Sequence, residues 1–313
     1  MKQLKIIDEI WKKTERGNID NISRTVMYEK FYMKNPEIKW ALLASLVSRN
    51  AGWNMTDLKS KWFQQLITEP FSDLLFQTFE RANWTIFADA YPQLLWYEFC
   101  KNKKKADYSL LTQLQVSEFM QKEWKRFWEY GDEERLCTSL IINEQFTIEK
   151  PVMKHPLYRK NVFSTLLYFL EEHAHMSYVI FPTMEGKIYG LYVRNFKKVD
   201  ARIWLGRQLQ SLLFHPNIHA FIYQFCLHTV PTGSRKDYEQ YLLWSTGNSS
   251  PKLREAYPLV SHHWKGKMDW SKSVTKTECY YSKLKTIKPV DRTKWLQSKW
   301  VEIYFLHKAK SYL

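Results

Sequence analysis

Apolar residues recur along this chain at the spacing of helices. Over 35–58, Asn35 as cap, Pro36 at the first helical position, Glu37 near the positive helix end and Gly52 as a left-handed stop predict a buried helix. Trp40, Leu43, Ala44 and Val47 share its face, a polar turn over 49–54 follows, and Met55, Leu58, Trp62 and Leu66 carry a second helix. Glu69-Pro70 ends that stripe, Phe71, Leu74, Leu75 and Phe79 begin another, and Tyr91-Pro92 is expected to break it before an apolar helix over 94–100. Ser117 caps a helix carrying Met120, Trp124, Phe127 and Trp128, which Gly131 stops, and Asp132 opens the next. Val162, Leu166, Phe169, Leu170 and His173 predict one more amphipathic helix.

The period changes near residue 178. Two short β-rich runs flank Glu185-Gly186-Lys187 and predict one small β-hairpin near 178–193. Helices resume over 203–214 and 218–228, where Asn217 is the expected cap, and a further helix should start at Ser234. Gly247-Asn248-Ser249-Ser250-Pro251 reads as a linker, and the last helix carries Leu296, Trp300, Ile303 and Tyr304. The expected fold is therefore mostly α, a multi-helix globular domain over 1–247, with an aromatic-rich region over 252–313 packed on it or tethered to it.

Composition refines this picture. The 313 residues include 14 Trp, 19 Tyr and 18 Phe, ample material for a core without disulfides or metals. Cys100, Cys137, Cys226 and Cys279 lie far apart with no zinc-like spacing, so they read as reduced, buried thiols. The charged opening residues leave no room for a signal-peptide core, and no uncharged apolar run reaches the length of a membrane span. These features place the chain in the cytoplasm. The net charge is +15, and 14 Lys and Arg against five Asp and Glu put +9 of it in residues 252–313. Such a field favours an anionic partner.

Candidate chemistry is sparse. Arg49, Asn50 and Asn54 in the expected polar turn are echoed by Arg81 and Asn83, either as helix-end tethers or as a fork for carboxylate or phosphate. Asn143 and Glu144 interrupt an apolar helix, so Glu144 needs water or a partner such as Arg81, Arg202 or Arg207. Unpaired and buried, it would be a general acid or base. Ser234 and Asp237 have capping-box spacing, and the amides of 233–236 with Arg235 and Lys236 could receive an anion. No metal or cofactor signature is present: the histidines include His173 with His175 and His215 with His219, and only the second pair has i, i+4 spacing, which Pro216 and Asn217 break by starting a new helix. Trp264, Trp270, Tyr280, Tyr281, Trp295 and Trp300 interleave with lysines, as in a single-strand stacking platform or a small core.

Taken together, 40–44, 47–58, Asn83-Trp84, 89–94, 141–145 and 232–238 make the chain resemble the uncharacterised bacterial YppC-like proteins over residues 20–245, leaving the basic C-terminal region outside. That resemblance implies a bacterial cytosolic protein and carries over no catalytic residue. Two functions are expected. The first is a non-enzymatic binding protein with an anionic partner, nucleic acid foremost. The second is a hydrolase or transferase for a phosphate or carboxylate substrate, with Glu144, Asp57 and Asp237 as catalytic candidates and Arg49, Asn50, Arg81, Asn83, Arg207, Ser234 and Arg235 in one cleft. A membrane-surface role ranks third, since no helix reads as apolar on one face and lysine-lined on the other.

Overall fold

The structure is a computed structural model that describes residues 2–163, 178–193, 195–263, 266–274, 276–285 and 287–311. Helices α1 (Lys2–Gly17), α2 (Asn21–Lys34), α3 (Lys39–Asp57), α4 (Lys61–Leu66), α5 (Glu69–Lys103), α6 (Ser109–Gln113), α7 (Glu118–Tyr130) and α8 (Glu133–Thr147) come first. Short helical turns over 149–163 include α9 (Pro156–Tyr158). The hairpin β1 (Tyr178–Pro182) and β2 (Ile188–Tyr192) precedes α10 (Val199–Leu213), α11 (His219–His228), α12 (Lys236–Glu239), α13 (Leu253–Ala256) and α14 (Thr293–Ser311). The protein is mostly helical, and its one small sheet among the described residues is antiparallel, with Tyr178 opposite Tyr192 and Pro182 opposite Ile188.

Helix α3 is the centre: 15 of its 19 residues are buried. It packs against α2, α5, α8, α10 and β1, so one interior collects Trp40, Trp53, Trp96, Trp124, Phe87, Phe181 and Phe225. Two smaller clusters sit beside it, one around Leu58, Leu75 and Val152 and one around Met55, Phe76 and Tyr257. Local chemistry sets several boundaries as expected. Ser117 accepts from the Met120 amide, Gly131 ends α7 at φ +66°, and Asp132 accepts from the Arg135 amide.

Other boundaries differ. Asn35 closes α2, its amide bonding to the Phe31 and Tyr32 carbonyls, and α3 begins only at Lys39 with no side-chain cap. Gly52 does not stop α3. A β-carbon there would lie 3.2 Å from the Gly233 Cα, so the missing side chain serves a close helix-to-loop contact. Arg49, Asn50 and Asn54 thus lie within the helix instead of in a turn, and Arg81 and Asn83 lie within α5. Pro92 is also interior to the 35-residue α5. It deprives the Ala88 carbonyl of its usual donor, a loss outweighed by burial of Tyr91, Leu94, Leu95 and Trp96 around it. Helix α11 starts at His219 after Ile218, one residue beyond the expected Asn217 cap.

The expected linker over 247–251 is knitted into the fold: Asn248 and Ser250 are buried, Asn248 donates to the Ser60 hydroxyl and the Ser250 carbonyl accepts from Ser234. The C-terminal aromatics turn inward instead of forming a platform. Trp270 stacks on Phe146 at 4.6 Å, Trp295 lies 3.8 Å from Tyr178, and Tyr280 and Trp300 are buried. Of the four thiols only Cys279 is exposed, because its short turn points Tyr280 inward. No helix among the described residues is long and apolar enough to cross a membrane. The helix expected at 162–173, His173, His175 and Trp264 lie outside the described residues, apart from the first turn reaching Val162.

Candidate functional site

A groove of about 520 Å³ opens between the end of α7, the first turns of α8, the second half of α10 and residues 281–284. Arg126, Arg135 and Arg207 line it with Thr138, Gln210, Ser211, Phe214 and Tyr281, and Asp132 and Glu134 complete the wall. The two acids are already engaged. Asp132 caps α8, while Glu134 accepts from Lys39 at 2.7 Å and from Gln210 at 2.7 Å. Arg135 is likewise committed, forked onto Glu123 at 2.8 Å with Glu278 at 3.1 Å and the Tyr281 ring 3.8 Å below.

Arg207 is different. Only 8% exposed, it donates through Nη2 to the Ser282 carbonyl at 2.8 Å, while Nε and Nη1 have no hydrogen-bond partner. Among the described residues no carboxylate forms an ion pair with it, and burial lowers its pKa from the ordinary guanidinium value. Its flat face rests 5.0 Å from the Trp204 ring. A desolvated guanidinium with two unpartnered donors in the wall of a groove suits a planar or tetrahedral oxyanion. Arg126, exposed at the rim, adds a second cation.

The remaining candidates distribute over separate networks. Arg49 donates through Nη2 to the Cys226 and Thr229 carbonyls and Glu29, with Nε and Nη1 buried and without hydrogen-bond partners, and Asn50 exchanges two 2.8 Å bonds with Ile180, pinning the hairpin to α3. Asn54 is half-buried on the same helix. Arg81 reaches the His263 carbonyl and lies over Trp84, and Asn83 bonds back to the Phe79 carbonyl. Asn143 bridges Asp89, Ser117 and Trp270 in a buried cluster that Lys267 joins through a 2.6 Å ion pair with Asp89.

Asp57, Ser234, Arg235 and Asp237 do meet, at the far end of α3, yet as a latch. Arg235 is fully buried and pairs with Asp57 at 2.6 Å and Glu239 at 2.7 Å, also donating to the Asn248 carbonyl. Burial pushes Asp57 up to about 6 against the pull of Arg235. Asp237 accepts from Trp53, the Thr232 amide and the Thr232 hydroxyl, so the expected capping box with Ser234 does not form. Ser234 instead bonds to the Ser250 carbonyl, and α12 is a single turn. Lys236 alone faces out, beside a shallow depression formed with 239–240 and 245–249.

Glu144 has no arginine partner. It accepts from the Trp40 ring nitrogen at 3.0 Å and from Gln145 at 3.0 Å, while Arg202 takes Gln145 and Glu149. Without a cation, burial pushes Glu144 up to about 7. Among the described residues no group of three or more His, Cys, Asp or Glu could hold a metal ion. Sequence reasoning named Arg207, and Tyr281 among the lysine-interleaved aromatics, but missed Arg126, Arg135 and Gln210. The available signal was Gly206, where a β-carbon would come within 2.6 Å of Ile141 and which therefore marks the tight α8–α10 contact beside the groove.

Fold and groove define a mostly helical protein with an arginine-lined groove. The chain belongs to the family described as protein of unknown function DUF2515, which matches residues 16–288. It is 44% identical over 311 residues to the uncharacterized protein YppC of Bacillus subtilis (strain 168), covering 99% of this chain and 96% of that one. The likeness therefore runs on through the basic C-terminal region that the resemblance over 20–245 left out. No solved structure matches the chain.

Proposed function

We propose that this chain is a non-enzymatic, cytoplasmic binding protein for an anionic partner, nucleic acid first, with the Arg207 groove taking one phosphate group. The observation that carries the reading is the pair of buried, unpartnered donors on Arg207 in the wall of the groove. Leaving such donors unmade costs stability, and a phosphate oxygen would satisfy them. The net charge of +15 supports a polyanion, since it raises the local concentration of phosphates around the groove. Three buried thiols suit a reducing compartment.

Fluorescence anisotropy with a labelled single-stranded oligonucleotide, titrated at several salt concentrations, tests the reading. The expected result is an affinity that falls steeply with salt and drops several-fold in Arg207→Met. Absence of binding at low salt, or identical binding by the variant, would overturn it.

One observation favours the second reading, a hydrolase or transferase for an anionic substrate. Glu144 at about 7 is poised for proton transfer at neutral pH. Turnover of a phosphoester that disappears in Glu144→Gln would carry that reading over the first.

A further inference from the structure

Helix α14 is apolar on two sides. Its inner side, Leu296, Trp300, Ile303 and His307, is buried. Trp300 lies over Arg235 at 3.8 Å, and His307 stacks on Trp62 with ring centroids 5.7 Å apart. The helix is therefore held firmly. Its outer side carries Phe305 at 64% exposure, Val301 at 48%, Tyr304 at 39% and Leu306 at 36%. Val301 and Phe305 stand one turn apart on the outermost stripe, and at helical spacing that stripe continues to Lys294 at one end and Lys308 at the other. Lys310 points the other way, donating to the Leu66 carbonyl at 3.1 Å, and the exposed acid Glu302 is paired with Lys299 at 2.7 Å.

We infer that this face of α14 seats the protein on an anionic lipid surface, with Phe305 and Val301 entering the headgroup region and Lys294 and Lys308 at the two ends of the stripe meeting lipid phosphates. Charge complementarity selects this occupant. Two copies packed face to face about a two-fold axis would set these lysines against their own images. A nucleic-acid backbone would satisfy the lysines but leave Val301 and Phe305 no apolar surface. An anionic bilayer supplies both, taking an apolar face about 5–10 Å into its boundary while its charge attracts the flanking lysines. Periodicity hides this face, because the inner side of α14 is apolar as well and the two patterns overlap.

Co-sedimentation of the full chain with phosphatidylcholine vesicles, with and without phosphatidylglycerol, tests the inference. Binding is expected only to vesicles containing phosphatidylglycerol, and salt should release it. Phe305→Asp should lower the bound fraction several-fold with an unchanged unfolding midpoint, and Lys294→Glu with Lys308→Glu should do the same. Arg207→Met should bind vesicles as the parent does, which separates this surface from the groove. Equal binding to both vesicle types, no binding to either, or retention by Phe305→Asp would overturn it. So would a dimer in sedimentation velocity that Phe305→Asp dissociates without any vesicle binding.

Discussion

The guanidinium of Arg235 lies 3.8 Å from the centre of the Trp300 ring while its nitrogens hold Asp57 and Glu239, so one fully buried side chain joins the end of α3 to α14. Removing it strands a buried carboxylate. Arg235→Met should cost about 3–5 kcal/mol, and adding Asp57→Asn should restore part of that loss. Urea unfolding of the two single variants and the double variant checks the coupling; additive losses would contradict it.

Glu144 makes stability depend on pH. Its folded pKa of about 7 lies above the ordinary 4.5, so the native state holds a proton that the unfolded chain has released between those values. The contribution is fully present below pH 4.5 and is lost as pH rises through 7. Glu144→Gln keeps an acceptor for Trp40 and removes the titration. The variant should match the parent near pH 4.5 and exceed it at about pH 8 by roughly 1–3 kcal/mol, read from unfolding midpoints across pH. Parallel pH profiles for the two proteins would refute the assignment.

Arg207 should show the opposite of a structural arginine. In the absence of ligand, Arg207→Met removes a buried cation with two unpaired donors, and the melting temperature should rise by the equivalent of about 1 kcal/mol. Adding inorganic phosphate should stabilise the parent and leave the variant unmoved. A destabilised variant would instead mark Arg207 as a tether for residues 281–284.

Gly52→Ala should destabilise, although alanine is the better helix former by about 1 kcal/mol. The new methyl meets the Gly233 backbone, whose φ of +74° leaves it little room to shift. Thermal unfolding decides; a stabilised variant would show that the 232–239 segment gives way.

What could be read in the sequence was what neighbours in sequence decide. Ser117, Gly131 and Asp132 act within one turn, and the hairpin turns on Gly186, so their outcomes follow from adjacent residues. The long α3 and α5 were hidden because Gly52 and Pro92 are breakers only where packing does not override them. Ion pairs such as Arg24 with Glu80 and Asp57 with Arg235 join residues far apart in sequence, and periodicity carries no information about such partners. Arg207 could be singled out as a polar candidate, yet its meaning depends on the absence of a carboxylate partner and of any acceptor for Nε and Nη1 among the described residues, a property of the folded surroundings alone.

The groove takes its floor from α8 and α10 but its outer wall from residues 281–284, and Arg207 is anchored by the Ser282 carbonyl. An anion held there would be clamped by two stretches 75 positions apart in the chain. Occupancy and docking of the tail are therefore one equilibrium: a bound phosphate should slow amide exchange around Tyr281, and loosening that segment should weaken the grip on the phosphate by the same factor.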